Sequence, residues 1–272
     1  MDISKGSPDR FGFEWKKYHT ILPIYEEQFL RWSQPLLKEN WKGKSFLDVG
    51  CGMGRNSFWP LTYGALEGVS IDVDERSLSA AKKLCLKKFK NVTIRNLSAY
   101  EIDYKNKFDI VFSIGVIHHL EFPEIALKKM VESAKPNGQV LIWVYGKENN
   151  EWITKFLDPL RKLLFSRLPI SIVHFLSFFP TVFLWFFLRL GLGKIEYFKL
   201  IRSFSFPHLR SIVFDQMLPE IANYWAREQV EELMEKSGLN DIQLTHVNQS
   251  SWSAVGTKFS NKESSSKQRS LI

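Results

Sequence analysis

At 272 residues, 44% of them apolar, the chain is long enough for one large α/β domain with a full core. Its two cysteines, Cys51 and Cys85, stand in no metal-ligand spacing and build no disulfide framework, which excludes a cysteine-built metal centre and fits a reducing compartment. The formal charge of +8 is unevenly spread: residues 152–210 hold nine Lys/Arg against two Asp/Glu, so the basic excess sits mainly in that segment.

Met1 to Lys17 is polar and charged, without the pattern of a secretory leader, so a cytoplasmic protein is expected. Phe11 to Trp41 reads as helical and aromatic-rich. Phe46 to Val49 is an apolar strand carrying Asp48 into Gly50-Cys51-Gly52-Met53-Gly54-Arg55. Alternate glycines let a backbone turn sharply and approach a ligand closely. A dinucleotide fingerprint would place its third glycine where Arg55 stands, and Asp48 would repel a pyrophosphate but could pair with an ammonium group. Ala65 to Ile71 is a second strand ending at Asp72, about twenty residues past the loop, where an acid is placed to bind ribose hydroxyls. The competing role for Asp72 is to cap the helix Glu75 to Lys83, for which Asp74 is better placed. Asn91 to Arg95 is a third strand, followed by Leu97-Ser98-Ala99. Phe108 to Ser113 is a fourth, running into Ile114-Gly115-Val116-Ile117-His118-His119-Leu120. A helix Pro123 to Ala134, a turn Lys135 to Gly138 and a fifth strand Gln139 to Tyr145 follow. Alternating strands and helices predict a parallel sheet covered on both faces.

These segments resemble the motifs of the class I S-adenosylmethionine (AdoMet) methyltransferases. Asp48 and the Gly50-x-Gly52-x-Gly54 spacing look like motif I, and Phe108 to Leu120 is similar to the FDxVxSxxVxHHL segment of small-molecule methyltransferases, including the ubiquinone and menaquinone biosynthesis type. The resemblance covers residues 46 to 146 and resumes at Trp225 to Lys258. It implies a Rossmann-like, seven-stranded, mostly parallel sheet of order 3-2-1-4-5-7-6, completed by strands near Asp241 to Val247 and Trp252 to Lys258. It also implies AdoMet as cofactor, bound through Asp48, Gly50, Cys51, Gly52, Gly54, Asp72, Ser98, Ser113 and Gly115. Two positions depart from the pattern: Ser70-Ile71-Asp72 replaces Gly-x-Asp, and Ser98 replaces the usual adenine-binding carboxylate with a less charge-assisted hydroxyl. Ser113-Ile114-Gly115-Val116 replaces the Asn/Asp-Pro-Pro-aromatic clamp of enzymes that methylate base amino groups, and neither cysteine stands as a nucleophile. No nucleic-acid partner is therefore expected.

The boundaries read as an N-terminal helical cap (1–45), an AdoMet-binding core (46–151), an insertion (152–224), the last helix and strand hairpin (225–259) and a disordered tail (260–272). In relatives such N-terminal helices close over the cofactor; simple packing on the sheet would explain the same residues. Within the insertion, Leu168 to Leu188 runs 21 residues without a formal charge apart from His174, which by length alone would suit a membrane span. Pro180 is expected to divide it into two short helices. The segment reads either as an apolar lid over the site, or as a lid that also touches the cytoplasmic face of a membrane, with its flanking cations at anionic head groups. Catalysis, where a base is needed, falls to His118 or His119 at the carboxyl end of strand four, one in the site and the other a core or helix-start residue. Tyr145 is a substrate-contact candidate, and Arg227 is either an anion binder or a surface residue. The expected activity is methyl transfer to a small, apolar or lipid-like molecule, with no metal. A non-catalytic AdoMet-binding membrane protein stays open, and a dinucleotide-dependent oxidoreductase is disfavoured by Asp48 and the glycine spacing.

Overall fold

Apolar strands that alternate with one-sided helices can bury both faces only by lying parallel in one layer, with helices above and below. The structure, a computed structural model that describes residues 10–13 and 21–259, has this form. The strands are β1 (Ser45–Val49), β2 (Glu67–Asp72), β3 (Val92–Asn96), β4 (Phe108–Ile114), β5 (Ala134–Tyr145), β6 (Leu239–Val247) and β7 (Ser251–Lys258). They form one seven-stranded sheet in the order β3-β2-β1-β4-β5-β7-β6. The pairings from β3 through β5 are parallel, and β7 runs antiparallel to both β5 and β6. The tail at 260–272, expected to be disordered, lies outside the described residues, as do parts of the N-terminal cap at 1–9 and 14–20.

Two local expectations need correction. The predicted turn Lys135 to Gly138 lies within the span of β5: Ala134 already pairs with Phe108, the next pair is Gln139 with Ile110, and the intervening residues bulge through a left-handed Asn137 (φ 63°). The second concerns Pro180, which sits in the first turn of the helix Phe178–Arg189 rather than at a break. A first-turn proline removes no helical bond, and the interruption falls upstream at Ser177, after the helix Ile170–Leu176.

The insertion holds more helix than the apolar run alone. Asp158–Leu163 precedes the pair just named, and Glu196–Ile201 and Phe206–Met217 follow it. The last of these is the spine of the insertion. Val173 packs with its Phe214 and Met217, while Leu188 packs with Ile201, Phe204 and its Leu209. The helix Ile24–Trp32, which also meets the insertion through Ile24 and Tyr25, brings Phe29 onto Trp41, Phe46 and Phe112, all four fully buried. The ring centroids of Trp41 and Phe112 lie 5.3 Å apart, and those of Phe46 and Phe112 5.7 Å. This nest ties the N-terminal helices to β1 and β4. Phe112→Ala is expected to destabilise the fold by about 3–5 kcal/mol, through lost burial and the cavity left among rings, read as a lower midpoint in urea with little change in slope. A loss under about 1 kcal/mol would mean that the nest does not hold these elements together.

Candidate active site

The carboxyl ends of β1, β2 and β4 converge on the glycine turn, and this is where open α/β sheets place ligands. Gly50 takes a left-handed φ of 76°, and a Cβ there would stand 2.4 Å from Cγ2 of Val116, so only glycine lets the turn reach the β4 loop. Beside it, the Asp72 carboxylate at the end of β2 accepts the N–H of Gly52 at 2.9 Å through one oxygen and the N–H of Asp74 at 2.9 Å through the other. Burial raises its pKa, and the two backbone donors oppose that shift. Asp74, not Asp72, is the helix cap, accepting from the N–H groups of Arg76 and Ser77. Asp72 thus fixes the glycine turn while its oxygens keep lone pairs toward the cavity.

Asp48 is placed otherwise than a direct ammonium partner would be. It is buried beneath the turn, accepts from the Ser57 hydroxyl at 2.5 Å, and is linked through it to Ser70 at 2.8 Å. Loss of water pushes its pKa up to about 7, against the Ser57 hydrogen bond, with the Asp72 charge adding to the rise. Ser113 is likewise off the cavity: fully buried, it donates to the carbonyl of Val49 at 2.9 Å and stitches β4 to β1. Gly54 faces Ala81 and Cys85, where the turn meets the next helix. Gly50, Cys51, Gly52, Asp72, Ser98 and Gly115 stand on the wall of one cavity of about 720 Å³.

That cavity runs past the loop to the end of β5. The two histidines separate there. His119 stands on the wall and donates from Nδ1 to the carbonyl of Ile221 at 2.7 Å, which leaves Nε2 as an acceptor. Burial lowers its pKa to about 4, in spite of that carbonyl, with the Arg161 charge helping to lower it. His118 is fully buried behind it, with its ring centroid 3.9 Å from that of Tyr145, and neither of its ring nitrogens has a hydrogen-bond partner among the described residues. Burial holds it well below the usual histidine range. Tyr145 is on the wall; its hydroxyl accepts from Nε2 of Gln216 at 2.8 Å and lies 3.4 Å from Oδ2 of Asp215. Arg227 pairs with Glu231 at 3.1 Å on the exposed face of its helix, away from the cavity.

Several wall residues carry no sequence signal. Asp215 and Gln216 come from the helix Phe206–Met217, which belongs to no motif, and Phe11 reaches the wall from the N-terminal turn with its ring 5.1 Å from His119. Gln28 and Asn56 also line the cavity, and a side-chain oxygen of each is buried without a hydrogen-bond partner among the described residues, a deficit that a bound polar group can make up. Arg55, where a dinucleotide loop would have glycine, instead lies over the rings of Tyr25 and Trp32 at 4.7 and 5.3 Å. The carboxylate of Asp72, the close-approach glycine turn and the hydroxyl of Ser98 form a set that fits an adenosyl group, and the orphan oxygens of Gln28 and Asn56 suit the ammonium end of an amino acid.

Comparison with known proteins agrees with that fit. Residues 40–156 match the profile of the methyltransferase-domain family. A ubiquinone biosynthesis O-methyltransferase of Bradyrhizobium diazoefficiens is 30% identical over 100 residues, 37% of this chain and 39% of that protein. A tRNA U34 carboxymethyltransferase of Helicobacter hepaticus is 28% identical over 167 residues, 58% of this chain and 51% of that protein. The match thus spans about half the length of these relatives, or less. Among solved structures, human N-acetylserotonin methyltransferase in complex with SAM shares the fold at a TM-score of 0.55 and 10% identity, over 93% of this chain and 56% of that one.

The buried Asp48 gives a pH test of the loop. Its pKa stands above the ordinary value of 3.8, so the native state holds this proton more tightly than the unfolded chain. The resulting stabilisation is complete below the ordinary value and is lost as pH rises through about 7. Asp48→Asn still accepts from Ser57 but cannot ionise. Without ligand, the variant should therefore match the wild type only below about pH 3.8, exceed its Tm increasingly up to about pH 7, and keep that margin at about pH 8–9. Parallel Tm profiles across that range would show that Asp48 does not bury its charge.

Proposed function

We propose that this chain, a class I AdoMet-dependent methyltransferase by its matched domain and its sheet order, methylates a small, apolar or lipid-like molecule. The carrying observation is the cavity: it begins at the glycine turn, passes His119 and Tyr145, and continues into a chamber walled by Leu157, Phe165, Leu184 and Phe187 of the insertion. Such a chamber suits a hydrocarbon body and offers few polar groups to a strongly solvated one. The insertion is thus a lid, and a peripheral contact with a membrane through 168–188, on the cytoplasmic face, belongs to the same reading, because a lipid-like acceptor is met at a lipid surface. The name of the tRNA-modifying relative raises an RNA acceptor as the competing substrate.

When bound, AdoMet supplies an electrophilic methyl group on a sulfonium sulfur. The chain supplies alignment, dryness and a proton acceptor. Asp72 and the glycine turn fix the adenosyl end, and the convergence of β4 and β5 sets an acceptor beside it, so much of the rate comes from positioning. His119, held in one tautomer by the carbonyl of Ile221, presents a neutral Nε2 that can take a proton from a hydroxyl or an acidic carbon. His118, shut behind it, supports the ring of Tyr145.

Asp72→Ala should weaken AdoMet binding about ten- to hundredfold in calorimetry, through loss of a charge-assisted hydrogen bond and of the clamp on Gly52. An unchanged Kd in a folded variant would refute the ribose assignment. His119→Ala should lower turnover about 10²- to 10⁴-fold while leaving AdoMet affinity nearly intact, whereas His118→Ala should act first on stability. Because His119 is deprotonated above about pH 4, its contribution should fade only as pH drops through that value. Equal turnover in His119→Ala and wild type would remove it as the base. The substrate class is tested by supplying methyl-labelled AdoMet with membrane lipid extract or with bulk tRNA. Label extracted into the organic phase is the expected result, and label confined to tRNA would overturn the proposal.

A further inference from the structure

The helix pair Ile170–Arg189 is long and apolar enough to cross a bilayer by length and composition, yet it cannot do so as a single pass. β5 precedes it and β7 follows it, and the two are paired along Gln139–Tyr145 and Ser251–Thr257, so both flanks lie on one side. What the pair presents outward is a stripe. Phe175, Phe179, Phe183 and Phe186 are exposed at 63, 57, 76 and 57%, while Val173, Thr181 and Leu188 face inward and are buried. Spacings of four, four and three residues along a nearly continuous helix put the four rings on one side.

Among the described residues, four are at once exposed and on the cavity wall: Trp152, Leu160, Pro180 and Phe183. Only a rim can be both, so the cavity opens on the same face as the stripe. The surroundings are cationic. Lys155, Lys162, Arg167, Arg189, Lys194 and Lys199 are exposed, whereas the insertion's basic segment has just two acids, the exposed Glu196 and an Asp158 already paired with Arg161 and Lys162.

We propose that this aromatic face docks on an anionic lipid leaflet and seats the cavity mouth in its acyl layer, so that a lipid acceptor enters head first without crossing water. Exposed phenylalanines ringed by lysine and arginine match the two zones of such a surface, hydrocarbon within and anionic head groups at the edge. A protein partner would need complementary acids and a matching relief; a leaflet needs only this zoning. The polar groups on the cavity wall, His119, Tyr145 and Gln216, are those an acceptor group would meet, so the acceptor group leads and its tail stays in the leaflet. The entry step rests on the methyl-transfer reading; the docking does not.

The test uses the intact chain with vesicles of phosphatidylglycerol and phosphatidylcholine, or of phosphatidylcholine alone. Co-sedimentation should be at least about tenfold tighter on the anionic vesicles and should fall with salt, as screening requires. The triple variant Phe175→Glu, Phe179→Glu, Phe186→Glu alters only stripe residues off the cavity wall. It should lose about tenfold or more of vesicle binding while keeping its AdoMet Kd, which also shows that it folds. A fluorophore on Phe183→Cys should be quenched by lipids brominated in the acyl chain, with Cys51→Ser removing the thiol that lines the cavity and Cys85 buried. No sedimentation with anionic vesicles at low salt, or equal sedimentation of the triple variant, would overturn the docking. So would a vesicle-free dimer abolished by that variant, which would give the stripe to a second copy of the chain. Absence of acyl quenching would overturn the position of the mouth. Loss of AdoMet binding by the wild type would instead strike the methyl-transfer reading, and the vesicle result would stand apart from it.

Discussion

The pairing of β5 with β7 is the constraint on which the rest of the structure depends. Because Tyr145 lies opposite Ser251, the chain that leaves β5 must return to the same end of the sheet about a hundred residues later. That end is also where β1, β2 and β4 deliver the glycine turn, Asp72 and the histidine pair. Both ends of the insertion are therefore fixed at the ligand end, and most of its helices contribute to the cavity wall. Asn150 reinforces the closure, donating from its amide nitrogen to the carbonyls of both Gly146 and Ser250.

The same geometry makes the interior electrically quiet. Asp48 is pushed toward its neutral acid, His119 and His118 toward neutral imidazole, and the Tyr145 hydroxyl well away from ionisation, each chiefly by loss of water. A poorly solvating wall interacts strongly with any charge brought into it. Transfer of a methyl cation equivalent to a deprotonated acceptor removes a positive and a negative charge together, so a poorly solvating wall opposes the reactants more than the products. Arg161 complicates this picture: it is fully buried beside the histidines, paired to Asp158 and donating toward the carbonyl of Gln216. It supplies a fixed positive field that favours proton loss from an acceptor without itself reaching the cavity.

The core was legible because its signals are local. Strand period, glycine spacing and an acid at the end of β2 are set by backbone sterics and by side chains near in sequence, and they placed the parallel strands and the loop, whereas the sheet order followed from the family resemblance. Asp48 and Ser113 show where motif reasoning stops. Their positions along the chain are those of ligand contacts, but each side chain turns beneath the wall, Asp48 to Ser57 and Ser70, Ser113 to the carbonyl of Val49. No pattern along the chain encodes which face of a turn a side chain takes. Asp215 and Gln216 show the converse. They reach the cavity only because Phe214 and Met217 bury the other side of their helix against Val173, a relation between segments about forty residues apart that periodicity does not carry.

The insertion is where local and global demands diverge most. The helix pair Ile170–Arg189 is hydrophobic nearly all round, which in a soluble domain normally signals burial on every side. Among the described residues one side packs on protein, with Leu188 and Val173 against the helix Phe206–Met217 and its neighbours, and the other side is left to phenylalanine. A lid that served the cavity alone would need apolar residues only on its inner face, and charged or polar residues outside would raise solubility. On the docking proposed above, the outward stripe serves a second requirement. A cavity that must receive a molecule from hydrocarbon cannot have a polar rim, because each polar rim group would have to be desolvated whenever the face met lipid. Trp152, Leu160, Pro180 and Phe183 at the rim would meet that requirement, and the stripe beside them would extend the apolar rim into a surface.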